Sequence, residues 1–322
     1  MYSCLCPEGY RDSIGRPGHA ARGSNQSILL QMRALGISQH LRPQDGNRVK
    51  CGGLGISFHE MNRCGDSVCQ YKGSKLWFRG RPSDLSDPFV ACLGGEETFG
   101  RFVEQPFPAE LTKLLGRPCV NFGSLFCGAD ALLADPAVLE LANRAEICVL
   151  QTPDLPCLSN RFYRVHPRRN DRFLAPSHDL EQLFPEVDFT EIHFVRHLLT
   201  RLQAVQDARF EVIAQELREA WVRTTSKVLS QIKPPVILLW LEVHRQEGMH
   251  SDLVLPNVEM INQLRPLCTG IVECSVRVTG QSESLEDVLF GTLQQPMAEH
   301  VIGPSAHREI AGKLLPVLRD QN

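Results

Sequence analysis

Short, mostly apolar runs, each bounded by glycine or proline, recur along the chain: Phe89–Leu93, Pro118–Phe122, Ile147–Gln151 and Val236–Val243. Runs of this length without polar alternation predict strands covered on both faces, as in a parallel sheet. Helical spacing fills the gaps between them. Pro108 in a first turn and Gly116 as a stop predict a helix over 109–115. Asp135-Pro136 reads as a cap followed by a first-turn proline, with Val138, Leu139, Leu141 and Ala142 on one face. Two longer helices are predicted over 191–206 and 208–232. The second carries Phe210, Ile213, Leu217, Trp221 and Val228 as its stripe, and Pro234-Pro235 ends it. A helix near 257–267, a strand near 270–276 and a helix over 305–318 complete the pattern. Tyr71, Leu76, Trp77 and Phe78 suggest an edge hairpin or a lead-in strand before the sheet. This alternation predicts an α/β fold, a three-layer α/β/α sandwich on a parallel sheet of about five strands.

Residues 1–57 depart from that pattern. They are rich in Gly, Ser, Arg and Asn and hold one short apolar patch, Ile28–Leu35. So little apolar surface does not offset ordering entropy, and a weakly ordered extension is expected. Residues 58–322 are then one domain, with an arginine-rich insert at 152–189 and a helical segment at 190–233. At 43% hydrophobic and 22% charged residues, the composition is that of a globular, water-soluble protein with no membrane span. The formal charge of −3 argues against a general grip on nucleic acid. No signal-peptide core opens the chain, so a cytoplasmic setting with reduced thiols is expected. Of twelve cysteines, Cys92, Cys119 and Cys148 fall inside strand runs and read as small core hydrophobes. No CxxC, Walker loop, GxGxxG or GxSxG occurs, so neither a metal nor a cofactor is expected.

In open α/β sheets, ligands bind at the carboxyl ends of strands. That directs attention to Gly94-Gly95-Glu96-Glu97-Thr98-Phe99-Gly100, to Asn121-Phe122-Gly123, and to Gly303-Pro304-Ser305-Ala306-His307 before the last helix. These stretches resemble, in order, the first, second and fifth blocks of the SGNH hydrolases. The resemblance implies a flavodoxin-like strand order and an ester hydrolase or O-acyltransferase ancestry, acting on a small or carbohydrate-linked ester. It also implies a loop of Gly94, Gly95 and Gly123 around the oxyanion, and His307 as acid/base. The serine position, however, is Glu96, and the aspartate expected three residues before His307 is Pro304. The third block falls on Asp154 and Cys157, leaving Asn160 as its substitute asparagine. Without a hydroxyl beside a base, serine acyl transfer lacks its nucleophile. Glu96, or a water it activates, and His307 are therefore the candidate catalytic residues of a diverged or impaired enzyme.

Leu93-Gly-Gly-x-Glu-Thr-Phe-Gly, Pro106-Phe-Pro-Ala, Val120-Asn-x-Gly and above all Ser159-Asn-Arg-Phe-Tyr-Arg-Val-His-Pro-Arg-Arg-Asn-Asp-Arg-Phe173 carry a closer resemblance. From Tyr71 to Leu318 the chain is similar to an uncharacterised bacterial family of unknown function. That family's pattern has Ser or Thr at position 96 and Asn at 126 and 157, where this chain has Glu96, Phe126 and Cys157.

Residues 161–172 hold five arginines, His166 and one acid, Asp171. Guanidinium forks suit phosphate, sulfate or carboxylate oxygens, so Arg161, Arg164, His166, Arg168 and Arg169 are candidate anion ligands. Alternatively, they pin the insert to the acids of 179–191, or form a solvated loop. His193 and His197, four apart in a predicted helix, would share one face. Two functions follow: an impaired SGNH-like enzyme, or a non-catalytic module binding an anion or a glycan. The expected partner is a small-molecule or carbohydrate ligand in either case.

Overall fold

The computed structural model describes residues 68–244, 254–281, 288 and 298–321, so the expectation for 1–57 lies outside the described residues. A two-residue antiparallel pair, β1 (Val68–Cys69) with β2 (Phe78–Arg79), leads in. Three parallel strands follow, β3 (Val90–Gly94), β4 (Cys119–Gly123) and β5 (Ile147–Gln151). The hairpin β6 (Tyr163–His166) and β7 (Arg169–Pro176) stands apart from the main sheet. Parallel strands β8 (Val236–His244) and β9 (Gly270–Arg277) complete it. The order β4-β3-β5-β8-β9 is the flavodoxin-like one. Chain direction reverses across the sheet between β3 and β5, which opens a crevice at their carboxyl ends.

The nine helices of the described residues are α1 (Glu96–Phe99), α2 (Phe107–Leu115), α3 (Ala129–Leu133), α4 (Pro136–Ala142), α5 (His178–Leu183), α6 (Val195–Val205), α7 (Asp207–Gln231), α8 (Val258–Leu264) and α9 (Pro304–Arg319). Because successive side chains of a strand point to opposite faces, the sheet feeds two cores. Val90, Cys92, Ile237 and Leu239 meet Leu111 of α2 and Ile310 and Leu314 of α9 on one face. Ala91, Leu93, Leu150 and Leu238 meet α3, α4, α7 and α8 on the other, around Trp221. Three layers result, as the apolar runs require. No described helix is long and apolar enough to cross a membrane.

Polar residues fix the edges of this framework. Asp135 caps α4 by accepting the Val138 N–H. Its other oxygen accepts from Ser74 Oγ at 2.8 Å and from the Lys75 N–H at 2.6 Å, tying the lead-in segment to the helix. The insert is more structured than an arginine-rich loop. Tyr163 and Val165 turn inward while Arg164 faces out, a period-two pattern that makes β6. Asn170, wholly buried, accepts from the Gly128 and Ala131 N–H groups and donates to the His166 carbonyl, pinning the hairpin to α3. The expected helix at 191–206 starts later, at Val195, because Phe194 bridges to Arg172 and the His193 carbonyl accepts from Phe173. His193 thus lies outside the helix that holds His197, and the two do not share a helical face.

Candidate functional site

Register decides what meets at the crevice. Gly94 pairs with Gly123 across β3 and β4, so both glycine-ended strands open side by side. There is no space for a side chain at either. A Cβ on Gly94 would lie 2.1 Å from Thr98 Oγ1, and one on Gly123 would lie 2.3 Å from the Phe99 nitrogen. That close approach lets α1 sit directly over the strand ends. Asn121 fixes it there, donating from Nδ2 to the Thr98 carbonyl at 2.8 Å. Its Oδ1 accepts the Gly123 N–H at 2.8 Å, so the amide expected to face an oxyanion is already bonded within the protein.

Gln151 ends β5 and is nearly buried. Its Oε1 accepts from the Thr98 N–H at 3.1 Å and from Thr98 Oγ1 at 2.5 Å, and its Nε2 donates to Glu97 Oε2 at 2.7 Å. This chain of bonds clamps α1 to the middle of the sheet and fixes the Glu97 carboxylate. Beside it opens a cleft of about 240 Å³, bounded by the loop at Gly95, the start of the insert and the end of β8. The cleft lies at the switch point of the sheet, where α/β proteins hold ligands.

Glu96 lines this cleft, with the buried Arg101 bringing Nη1 to 3.7 Å from its Oε1. His307 does not line it. Its ring is fully buried, stacked on Phe107 with centroids 6.3 Å apart, and its Nδ1 accepts the Phe107 N–H at 3.1 Å. That N–H belongs to the first residue of α2, one of the donors a helix leaves without an internal partner. Burial, and then the charge of Arg79, push the His307 pKa down to about 3. The geometry makes it a neutral helix cap. The structure brings Glu96, Gly94, Gly95 and Gly123 together and packs His307 against the first residue of α2, outside the cleft lining.

Asn160 organises a turn: its Oδ1 accepts the Phe162 and Tyr163 N–H groups, and its Nδ2 donates to the Leu158 carbonyl. None of Arg161, Arg164, His166, Arg168 and Arg169 lines the cleft. Arg161 pairs with Asp179 at 2.7 Å on the surface. His166 Nδ1 accepts the Arg168 and Arg169 N–H groups in the hairpin turn. Arg169 comes nearest to the cleft. It lies 4.2 Å above the Phe126 ring and 2.8 Å from Asp171, and both of those residues do line it.

Several cleft residues are not marked by any motif. Trp240 and Glu242 lie in β8 and Arg196 in α6, whereas Asp171, in β7, is the lone acid of the arginine-rich string. A polar residue closing an apolar strand, as Gln151 closes ICVLQ, was the available signal. Of the described residues lining the cleft, only Thr152 carries a hydroxyl, and its Oγ1 accepts the Leu241 N–H. Cys127 and Cys157 also line it, yet both thiols are held protonated. Burial pushes Cys127 up to about 12, and burial with the adjacent Asp154 carboxylate raises Cys157 well above the ordinary thiol range. The Cys157 thiol donates to Asp154 Oδ2 at 2.9 Å.

No curated protein matches the chain. Among solved structures, a candidate lipase from Acinetobacter baumannii AYE aligns over 84% of this chain and 99% of its own, at 11% identity and a TM-score of 0.29. That likeness is too loose to carry an argument about the site. A family model does match, over residues 57–322, and the chain therefore belongs to the family described as a domain of unknown function, DUF6473.

Proposed function

We propose that this chain is an SGNH-like protein without serine-hydrolase turnover, and that its switch-point cleft binds a small, hydroxyl-rich ligand of carbohydrate type. The observation that carries the reading is the pairing of cleft chemistry with the position of His307. The cleft offers Glu96, Glu97, Asp154, Asp171, Glu242 and Gln151, side chains that accept hydrogen bonds from hydroxyl groups. The one base the SGNH resemblance supplies is buried against the first residue of α2, with its acceptor nitrogen occupied by the Phe107 N–H. A carboxylate at position 96 with Arg101 beside it is not an activated nucleophile for acyl transfer. Between the two ligand classes expected from sequence, the carboxylate-rich lining favours a glycan over an anion.

The test has two arms. Wild type and Glu96→Ser are assayed against short-chain p-nitrophenyl esters, and neither is expected to exceed background. Wild type is titrated with mono- and disaccharides, and saturable quenching of tryptophan fluorescence is expected from Trp240. Ester turnover by the wild type that disappears in His307→Asn would overturn the proposal.

A further inference from the structure

The charges around the cleft are unequal, and their partners single out two of them. Five carboxylates line it, against the guanidinium of Arg196 and the imidazole of His244. Glu96 faces Arg101 at 3.7 Å, Asp171 is paired with Arg169 at 2.8 Å, and Asp154 accepts from the Cys157 thiol, on which the Arg196 charge also acts. Glu97 and Glu242 differ. The hydrogen-bond partner of Glu97 is the neutral amide of Gln151, and Glu242 has no cationic partner among the described residues. Both are partly buried, where a carboxylate is screened less than at an open surface.

Trp240 provides a second, independent observation. It lines the same cleft at 7% exposure, and its Nε1–H is buried without an acceptor. Buried indole N–H groups ordinarily have a partner, and an orphan one at a cleft wall is accounted for by an acceptor that arrives with a ligand. On β8, residues 240 and 242 point to the same side of the sheet, so the indole and the Glu242 carboxylate share one wall. A hydroxyl oxygen on the ligand satisfies the indole N–H, and an ammonium group satisfies the unpaired carboxylates. An indole face adjacent to an ammonium adds a cation–π contribution.

We infer that the ligand of this cleft carries an ammonium group beside its hydroxyls, as an amino sugar or amino alcohol does, with Glu97 and Glu242 as the anionic partners and Trp240 as the hydroxyl-facing donor. The inference rests on the ligand-binding reading above and adds the charge of the ligand to it. The full-length chain is titrated calorimetrically with D-glucosamine, D-glucose and N-acetyl-D-glucosamine at pH 7. Glucosamine is expected to bind at least about tenfold tighter than the two neutral sugars, the effect of one charge-assisted hydrogen bond. Glu97→Gln and Glu242→Gln keep the side-chain shape, and each is expected to reduce that preference about tenfold, with unchanged thermal unfolding showing that the fold is intact. Rising salt is expected to weaken glucosamine and leave glucose unaffected. Equal binding of all three sugars overturns the ammonium inference and leaves the carbohydrate reading standing. Absence of binding by all three overturns both.

Discussion

His307 offers the sharpest physical test, because its burial makes stability depend on pH in a known direction. An imidazole that accepts the Phe107 N–H through Nδ1 carries its proton on Nε2, which is buried with no partner. Protonation would place a charge in that site and remove the acceptor. In the folded chain the group titrates near 3 instead of its ordinary 6.5, burial being the main cause and Arg79 the lesser one. Because the folded pKa is the lower, the unfolded chain takes up the proton first as pH falls. The stability linked to neutral His307 is therefore complete above about pH 6.5, declines through the window below it, and is lost by about pH 3. The slope is about 1.4 kcal/mol per pH unit, so between pH 7.5 and 4.5 the loss is roughly 3 kcal/mol. His307→Asn does not titrate. At pH 7.5 it is expected to be less stable than wild type by about 2–4 kcal/mol, through the strained or missing bond to Phe107 and the volume lost. At pH 4.5 that gap should shrink by roughly 3 kcal/mol. Urea unfolding at both pH values, followed by tryptophan fluorescence, measures the two gaps. A gap that stays constant would show that His307 is not a buried neutral cap and would leave it free to act as a base.

Gly123→Ala is expected to destabilise by at least about 3 kcal/mol in urea unfolding, since its Cβ would fall 2.3 Å from the Phe99 backbone nitrogen, which a side-chain shift cannot relieve. Asn170→Ala leaves the buried Gly128 and Ala131 N–H groups without an acceptor, and a loss of about 3–5 kcal/mol is expected, with proteolysis of the insert preceding global unfolding. Trp221→Phe removes the donor to the Pro153 carbonyl at 2.9 Å and is expected to cost about 1–3 kcal/mol in the same assay. Cys127, held at about 12, should alkylate with iodoacetamide at pH 8 roughly a thousandfold more slowly in the native than in the denatured protein, as read by mass spectrometry.

The sheet was legible because its strands are buried on both faces, and burial leaves an unambiguous mark: VACL, CVNF, ICVL and VILLWLEV carry no polar position until they approach the crevice. The glycines that end β3 and β4 were legible for a related reason, since a strand that must let α1 approach closely has no room for a side chain. What assembles around them was not. Gln151, Asp171, Arg196, Trp240 and Glu242 come from four separate elements and meet only through the strand order, which no local pattern encodes. The arginine-rich insert misled by composition. Its charges are conspicuous in sequence, but the residues that position it are Tyr163, Val165 and Asn170, and the arginines mostly face outward or pair with nearby acids. His307 was legible as a residue at the start of the last helix. Its destination was not, because a histidine that caps a neighbouring helix and one that faces a cleft share the same local sequence.

The residues at positions 96 and 304 are two of the departures from the SGNH pattern, and the structure bears on whether they alone would account for the absence of serine-hydrolase turnover that we propose. The backbone under position 96 is held independently of its side chain. Asn121 bonds the Thr98 carbonyl, Gln151 bonds the Thr98 N–H, and the Gly100 N–H closes the turn onto the Glu96 carbonyl. Glu96→Ser would therefore set a hydroxyl at the cleft without moving the loop. Pro304 is the first residue of α9, where proline is well tolerated, and aspartate there would be equally compatible with the helix start. If the two residue identities were the whole difference, Glu96→Ser combined with Pro304→Asp would restore a serine, a carboxylate and a histidine in one chain. The geometry argues otherwise, because His307 accepts from Phe107 and is fully buried, so the new serine gains no base unless α2 and α9 repack. The double variant is expected to hydrolyse p-nitrophenyl acetate no faster than wild type. Turnover that appears in it and is abolished by His307→Asn would show that the imidazole reaches the cleft, and the site would then be an enzyme disabled by two side chains alone.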